Sequence, residues 1–370
     1  CLELCNKMIP YYERMGENWI YAALRRYQDT YATLLMYLYD LTNNPEHLRK
    51  AIQISQKAIE SASKVDMISL VAESYWKIAK AQDNLEEHPE AAESFKNASE
   101  NYMKAAEKIP QLKDFYEAQA SYMQAWSEIE KARHHHRRQE YGSAMEHFEK
   151  AANLHKSLKQ WSYLAPNYSA WAHLEHAEDL SRSEKSEEAL QAFEQAAKLF
   201  IETKKSLQTQ LGKIEDPNEK QMATGMFKTT DLRHEYCLAR TRLEEAKILD
   251  KQGDHRSSSE KYGSAAETFE KITKELDLEQ DRKELRFTST LSRAWQKMTR
   301  AEAETSPALY VEASQLFEEA KEFSPNERAK MLALGHSRFC RALEAGTKFA
   351  DTRDTTMHTA AIKHLESAAN

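Results

Sequence analysis

Lys131-Ala132-Arg133-His134-His135-His136-Arg137-Arg138 is the densest run of side chains in this chain that could hold or move a charged group. Three adjacent imidazoles suggest a metal, but neighbours on a helix diverge by about 100°, so the three cannot converge on one ion. His173, His176 and Asp179 come closer to sharing a face, yet there is no HExxH pair and no carboxylate–histidine set recurs, so no metal site is assigned. The basic run has two readings. The plainer one is positive charge at the carbonyl end of a helix, where it complements the dipole. The sharper one is an anchor for an acidic peptide, a phosphate or a nucleic acid, with Arg133, Arg137 and Arg138 as candidates. For covalent or nucleotide chemistry, GxSxG, GxxxxGK[ST] and GxGxxG are all absent. Cys237 and Cys340 fall in helical periodic stretches, where a small buried role is the default. No catalytic residue, enzymatic activity or cofactor is expected.

The elements that carry these residues are helices. In 370 residues there are only 8 Gly and 8 Pro, 30% of residues are charged, and Ala, Glu, Leu and Lys dominate. The longest uncharged apolar stretch, near Tyr31–Tyr39, is about half the roughly 20 residues a membrane span needs, so no membrane partner is expected. A net charge of −7 argues against general phosphate-backbone binding and makes nucleic acid an unfavoured partner. Cysteines at 1, 5, 237 and 340 form no CxxC pair, which fits a reducing, cytoplasmic setting. The glycosylation triplets at Asn97 and Asn167 lie within helical patterns and are discounted.

Aligning the chain on itself exposes a repeat: Ala, six residues, a small residue, eleven residues, Ala or Ser, three residues, an aromatic, two residues, Ala. The clearest copies are Ala125, Ala132, Ala144, Phe148, Ala151; Ala170, Ala177, Ala189, Phe193, Ala196; and Ala294, Ala301, Ala313, Phe317, Ala320, and every copy shares these gaps. Ala72, Ala79, Ala91, Phe95, Ala98 and Ala239, Ala246, Ser258, Tyr262, Ala265 follow, the latter with Ser and Tyr in place of Ala and Phe. The outermost copies, Ala32, Tyr39, Ala51, Ser55, Ala58 and Ala342, Phe349, Ala361, Leu365, Ala368, carry an aromatic at the second position, as terminal repeats tend to be atypical. Seven residues are two helical turns, so the alanines form facing stripes on the two helices of a hairpin, and the aromatic fills the space beside them. First alanines are separated by 40, 53, 45, 69, 55 and 48 residues, so all length variation falls between hairpins. The 69-residue interval predicts two long helices broken near Glu215-Asp216-Pro217-Asn218.

Glu184-Lys185-Ser186-Glu187-Glu188-Ala189-Leu190-Gln191-Ala192-Phe193-Glu194-Gln195-Ala196-Ala197 resembles the tetratricopeptide repeat, as does Gln139–Ala152. The period is longer than the usual one, and the Trp, Leu and Gly of the first helix are replaced. In this the chain is more similar to long-helix relatives such as the soluble attachment proteins of vesicle fusion, and no peptide-clamp residue is carried over. The resemblance implies a partner-binding scaffold.

The expected fold is therefore all-α: a right-handed α-solenoid of about seven tandem hairpins in one domain, 1–370, with hairpins near 17–64, 67–108, 110–157, 161–213, 217–275, 278–322 and 325–369. Cys1–Tyr12 reads as the second helix of a further hairpin, so the chain is expected to be truncated at its N-terminus, with room for an effector domain elsewhere in the full-length chain. Trp126, Trp171 and Trp295 each follow the first alanine of their copies, a slot that Arg240 fills in another. These four either pack between hairpins or line a groove for a helical or extended peptide. The competing functions are a sensor that encloses a small molecule or nucleotide against the 203–256 insertion, and an accessory module of a nucleic-acid complex. Apolar repeat ends leave room for self-association.

Overall fold

The computed structural model describes residues 2–15, 18–276 and 279–369. Cys1 and the expected helix starts at 17 and 278 lie outside the described residues. Among the described residues there are helices and turns and no strand. In order they are α1 Leu2–Met15, α2 Asn18–Thr42, α3 Pro45–Lys64, α4 Ile68–Asn84, α5 His88–Lys108, α6 Lys113–Arg137, α7 Tyr141–Ser157 and α8 Ala165–Arg182. They continue with α9 Ser186–Gln210, α10 Pro217–Lys251, α11 His255–Glu275, α12 Glu279–Glu304, α13 Pro307–Ala320, α14 Glu327–Thr352 and α15 Thr355–Ala369. No described helix is long and apolar enough to cross a membrane.

Contacts divide the chain into two compact units, Cys1–Glu175 and His176–Asn370, with the division inside α8. In the first unit each helix from α1 to α7 packs on its neighbours in sequence, and in the second unit α9 to α15 do the same. The copy Ala170 to Ala196 has residues on both sides of the division, so the repeat pattern does not change there.

Helix starts follow from the local sequence. Asn44 and Asp216 stand before prolines that already have helical φ, and their side chains accept hydrogen bonds from the free amides of Glu46 (3.1 Å) and Glu219 (2.8 Å). Asp254 and Asn326 cap α11 and α14 through Ser257 and Ala329. The Asp216-Pro217 start gives α10 its 35 residues, and α9 reaches 25, so the long interval between copies is spent on helix rather than loop.

Every turn inside a copy contains one residue with positive φ: Asn43, Glu86, Gln139, Glu184, Gly253, Thr305 and Arg353. Such a residue lets the chain reverse while the next amide bonds back to the last turn, as Glu87 does to Gln82 O (2.9 Å), Glu140 to His135 O (2.9 Å), Lys185 to Leu180 O (3.0 Å) and Asp254 to Leu249 O (3.0 Å). Glycine occupies the position only at Gly253, and a side-chain-bearing residue there is strained by its Cβ.

The alanines at all four stripe positions of the copies starting at Ala125, Ala170 and Ala294 have 0% exposure, and Phe148, Phe193 and Phe317 are buried beside them. The C-terminal copy loosens: Leu365 stands in the aromatic position and is exposed, and Ala361 and Ala368 are only partly covered. Glu184 is exposed and sits in the left-handed turn between α8 and α9. Glu184→Gly is expected to raise stability by up to about 1 kcal/mol, measured by urea unfolding of the whole chain.

Candidate functional site: the helix-pair junctions

The slot after the first alanine has one structural role in four copies. Trp126 on α6 stacks on Phe95 of α5 (centroids 6.0 Å apart), and Trp171 on α8 stacks on Phe148 of α7 (5.6 Å). In the second unit Trp295 on α12 stacks on Tyr262 of α11 (6.2 Å), and the Arg240 guanidinium of α10 lies 4.9 Å from the Phe193 ring centre of α9. Each slot residue thus covers the repeat aromatic of the preceding pair, by ring stacking in three copies and by a cation over a ring in the fourth. Trp171, Arg240 and Trp295 keep part of their surface exposed in this packing. Trp126 is buried and also meets Tyr122 and Tyr168 edge-on, and Trp295 has His336 at 4.7 Å.

The cations of the 131–138 run are matched with acids. Arg133 bonds Asp83 (2.7 Å) and Glu130 (2.8 Å), Arg137 pairs with Glu86 (2.7 Å), and Arg138 with Glu140 (2.8 Å). Lys131 meets Glu128, and His135 and His136 lie 2.6 and 2.7 Å from Glu140 and Glu175. Arg133–Asp83 and Arg137–Glu86 join the end of α6 to the end of α4 and the turn after it, and Arg137 and Arg138 remain about half exposed or more.

Sequence inspection missed the most unusual feature of these junctions. Glu130, Glu175 and Glu244 each stand five residues after a first alanine, and all three are fully buried. Each receives a polar group from the preceding pair: His88 Nδ1 is 2.7 Å from Glu130, His136 Nδ1 is 2.7 Å from Glu175, and the Ser181 hydroxyl donates to Glu244 at 2.6 Å. Burial raises the affinity of Glu244 for a proton, but Lys247 (2.7 Å) and Arg240 outweigh it and hold the carboxyl below its ordinary range. Arg240 also pairs with Glu178 at 2.8 Å. The recurrence of Glu at that register was the available signal.

His155 of α7 is not matched in this way. It is fully buried between Tyr168, stacked at 5.3 Å, and Tyr122, edge-on at 5.8 Å, and neither ring nitrogen has a hydrogen-bond partner among the described residues. Burial pushes its pKa down to about 3 from 6.5. The thiols of Cys237 and Cys340 are also buried and pushed up by that burial, Cys340 to about 12, so both are poor nucleophiles.

A surface feature lies on the second unit. Arg293, Gln296, Lys297 and Arg300 of α12 and Leu316 of α13 line an open cleft of about 470 Å³. Arg293 makes a forked pair with Glu270 (2.9 and 3.1 Å), Lys297 reaches Glu312 (2.7 Å), and Arg300 reaches Glu304 (2.8 Å). No family model matches this chain, and no curated protein matches it.

Two outcomes follow from the packing. Trp126→Ala is expected to cost about 3–5 kcal/mol of unfolding free energy, because the ring is enclosed on three sides by aromatic neighbours. Unfolded His155 takes up a proton near pH 6.5 that the folded chain accepts only near 3, so stability is full above pH 6.5 and falls as the pH drops, by about 1.4 kcal/mol per unit at most. His155→Phe should raise the melting temperature at neutral pH and flatten this acid limb, read by thermal denaturation between pH 7 and 4.

Proposed function

We propose that this chain is a non-catalytic scaffold: a right-handed α-solenoid of about seven tetratricopeptide-like pairs that binds an acidic helical or extended peptide of a protein partner. The observation that carries the binding mode is the cleft on α12 and α13, where Arg293, Lys297 and Arg300 follow one another at spacings of four and three on one helix face above the apolar Leu316. Exposed ion pairs are worth only about 0–1 kcal/mol, so incoming peptide carboxylates can replace Glu304 and Glu312 at Arg300 and Lys297 with little loss. The buried free thiols of Cys5, Cys237 and Cys340 fit the reducing, cytoplasmic setting proposed with this reading.

The sensor reading has less support. α9 and α10 meet directly across the 203–256 segment: Lys204 bonds both oxygens of Asp231 (2.7 and 2.6 Å), and His234 Nδ1 bonds the Ala197 carbonyl (3.1 Å). An accessory role on nucleic acid would draw on Arg133, Arg137 and Arg138, and the net charge of −7 disfavours a phosphate backbone as partner.

Selection of a random peptide display library on the whole chain tests the scaffold reading. Selected peptides should be enriched in Asp and Glu, bind more weakly as salt rises, and lose about tenfold or more in affinity on the Lys297→Glu/Arg300→Glu variant. Peptides without acidic enrichment, or ones that bind the variant equally well, would refute the cleft as the peptide site.

A further inference from the structure

Two junctions share one arrangement but differ in charge. In the first unit Asp83 and His88 stand four and nine residues after the second alanine, Ala79, and face Glu130 and Arg133, which stand five and eight residues after Ala125. That junction is closed: Arg133 bonds Asp83 and Glu130, and His88 bonds Glu130. In the second unit Asp250 and His255 hold the same places after Ala246. Opposite them, five and eight residues after Ala294, stand Thr299 and Glu302. The register that supplies a guanidinium in one junction supplies a carboxylate in the other.

The result is an imidazole between two carboxylates. His255 Nδ1 lies 2.8 Å from Asp250 Oδ1 and 3.1 Å from Glu302 Oε2, and all three donor atoms lie within 4.8 Å of one another. Neither carboxylate makes an ion pair with a Lys or Arg among the described residues, whereas Asp83 and Glu130 both do. The three side chains come from the end of α10, the start of α11 and the end of α12, and are 27–33% exposed, so solvent ions reach them.

We propose that Asp250, His255 and Glu302 bind a divalent first-row transition ion through Asp250 Oδ1, His255 Nδ1 and Glu302 Oε2, with water in the remaining positions. Ligand edges of 2.8 and 3.1 Å subtend roughly 85–95° at an ion with bonds of about 2.1 Å. That is the angle between adjacent ligands of a six-coordinate ion. The imidazole favours a transition ion over calcium or magnesium, which take oxygen donors. The ion supplies the positive charge that Arg133 supplies in the first unit, and it ties three helices together. This inference is independent of the peptide cleft, which uses other residues.

Cobalt(II) titrated into the untagged whole chain and followed by calorimetry tests the site. One ion per chain should bind at this junction and raise the melting temperature. Asp250→Asn should weaken that uptake about tenfold or more. Glu302→Arg, which restores the cation found at the Arg133 register, should abolish it while keeping the circular dichroism and melting temperature of the metal-free wild type. His88→Ala should leave uptake unchanged. The proposal is overturned if wild type takes up no cobalt at roughly 1 mM, or if Asp250→Asn and Glu302→Arg bind as wild type does.

Discussion

Two helix backbones can pass side by side as closely as they do here only where the side chain between them is no larger than a methyl group. That close approach fixes the rest of the structure. With Ala125, Ala132, Ala144 and Ala151 fully enclosed, little freedom of rotation is left between the helices of a pair, and the remaining space has the shape of one ring, filled by Phe148. The ring's outer face then has to be covered from the next pair, and the residue after the next first alanine is the one in position to do so. Trp126, Trp171, Arg240 and Trp295 are thus consequences of the alanine stripe, each covering the aromatic of the pair before it.

The same geometry explains why charged groups are found inside these junctions. A residue five positions after the first alanine points back at the preceding helix end, and in three copies it is a glutamate with no access to water. Such a carboxylate is tolerable only if a donor meets it, and the donor differs each time: His88 with Arg133, then His136, then Ser181 with Lys247. Where the acid moves to the position of the cation, at Glu302, the balance inside the junction changes sign.

Much of the fold was legible because it depends on small residues at fixed intervals. Alanine stripes, proline-led starts at Pro45 and Pro217 and the break before α10 are local signals, and the helix limits fall within a few residues of where the periodicity put them. The junctions were far less legible. Trp126 and Phe95, His88 and Glu130, or His255 and Glu302 are brought together only when one pair stacks on the next, and the variable spacing between copies hides their register. The basic run at 131–138 stood out by composition, but its meaning depended on Asp83, Glu86 and Glu175, which no window around it contains. Left-handed turns at Glu86, Gln139, Glu184 and Thr305 gave no sign either, since glycine marks only one of seven.

Tandem copies of one backbone geometry carry a hazard in folding, because any pair offers its neighbours nearly the same apolar face and a chain can stack out of order. The alanine stripe cannot tell one copy from another. The polar contents of the junctions can: Arg240 set against Phe95 without Glu178 would lose its carboxylate partner, and breaking a buried pair costs about 3–5 kcal/mol. The junctions therefore differ from one another in their buried contacts where the alanine stripes do not, and that difference favours the native order of stacking.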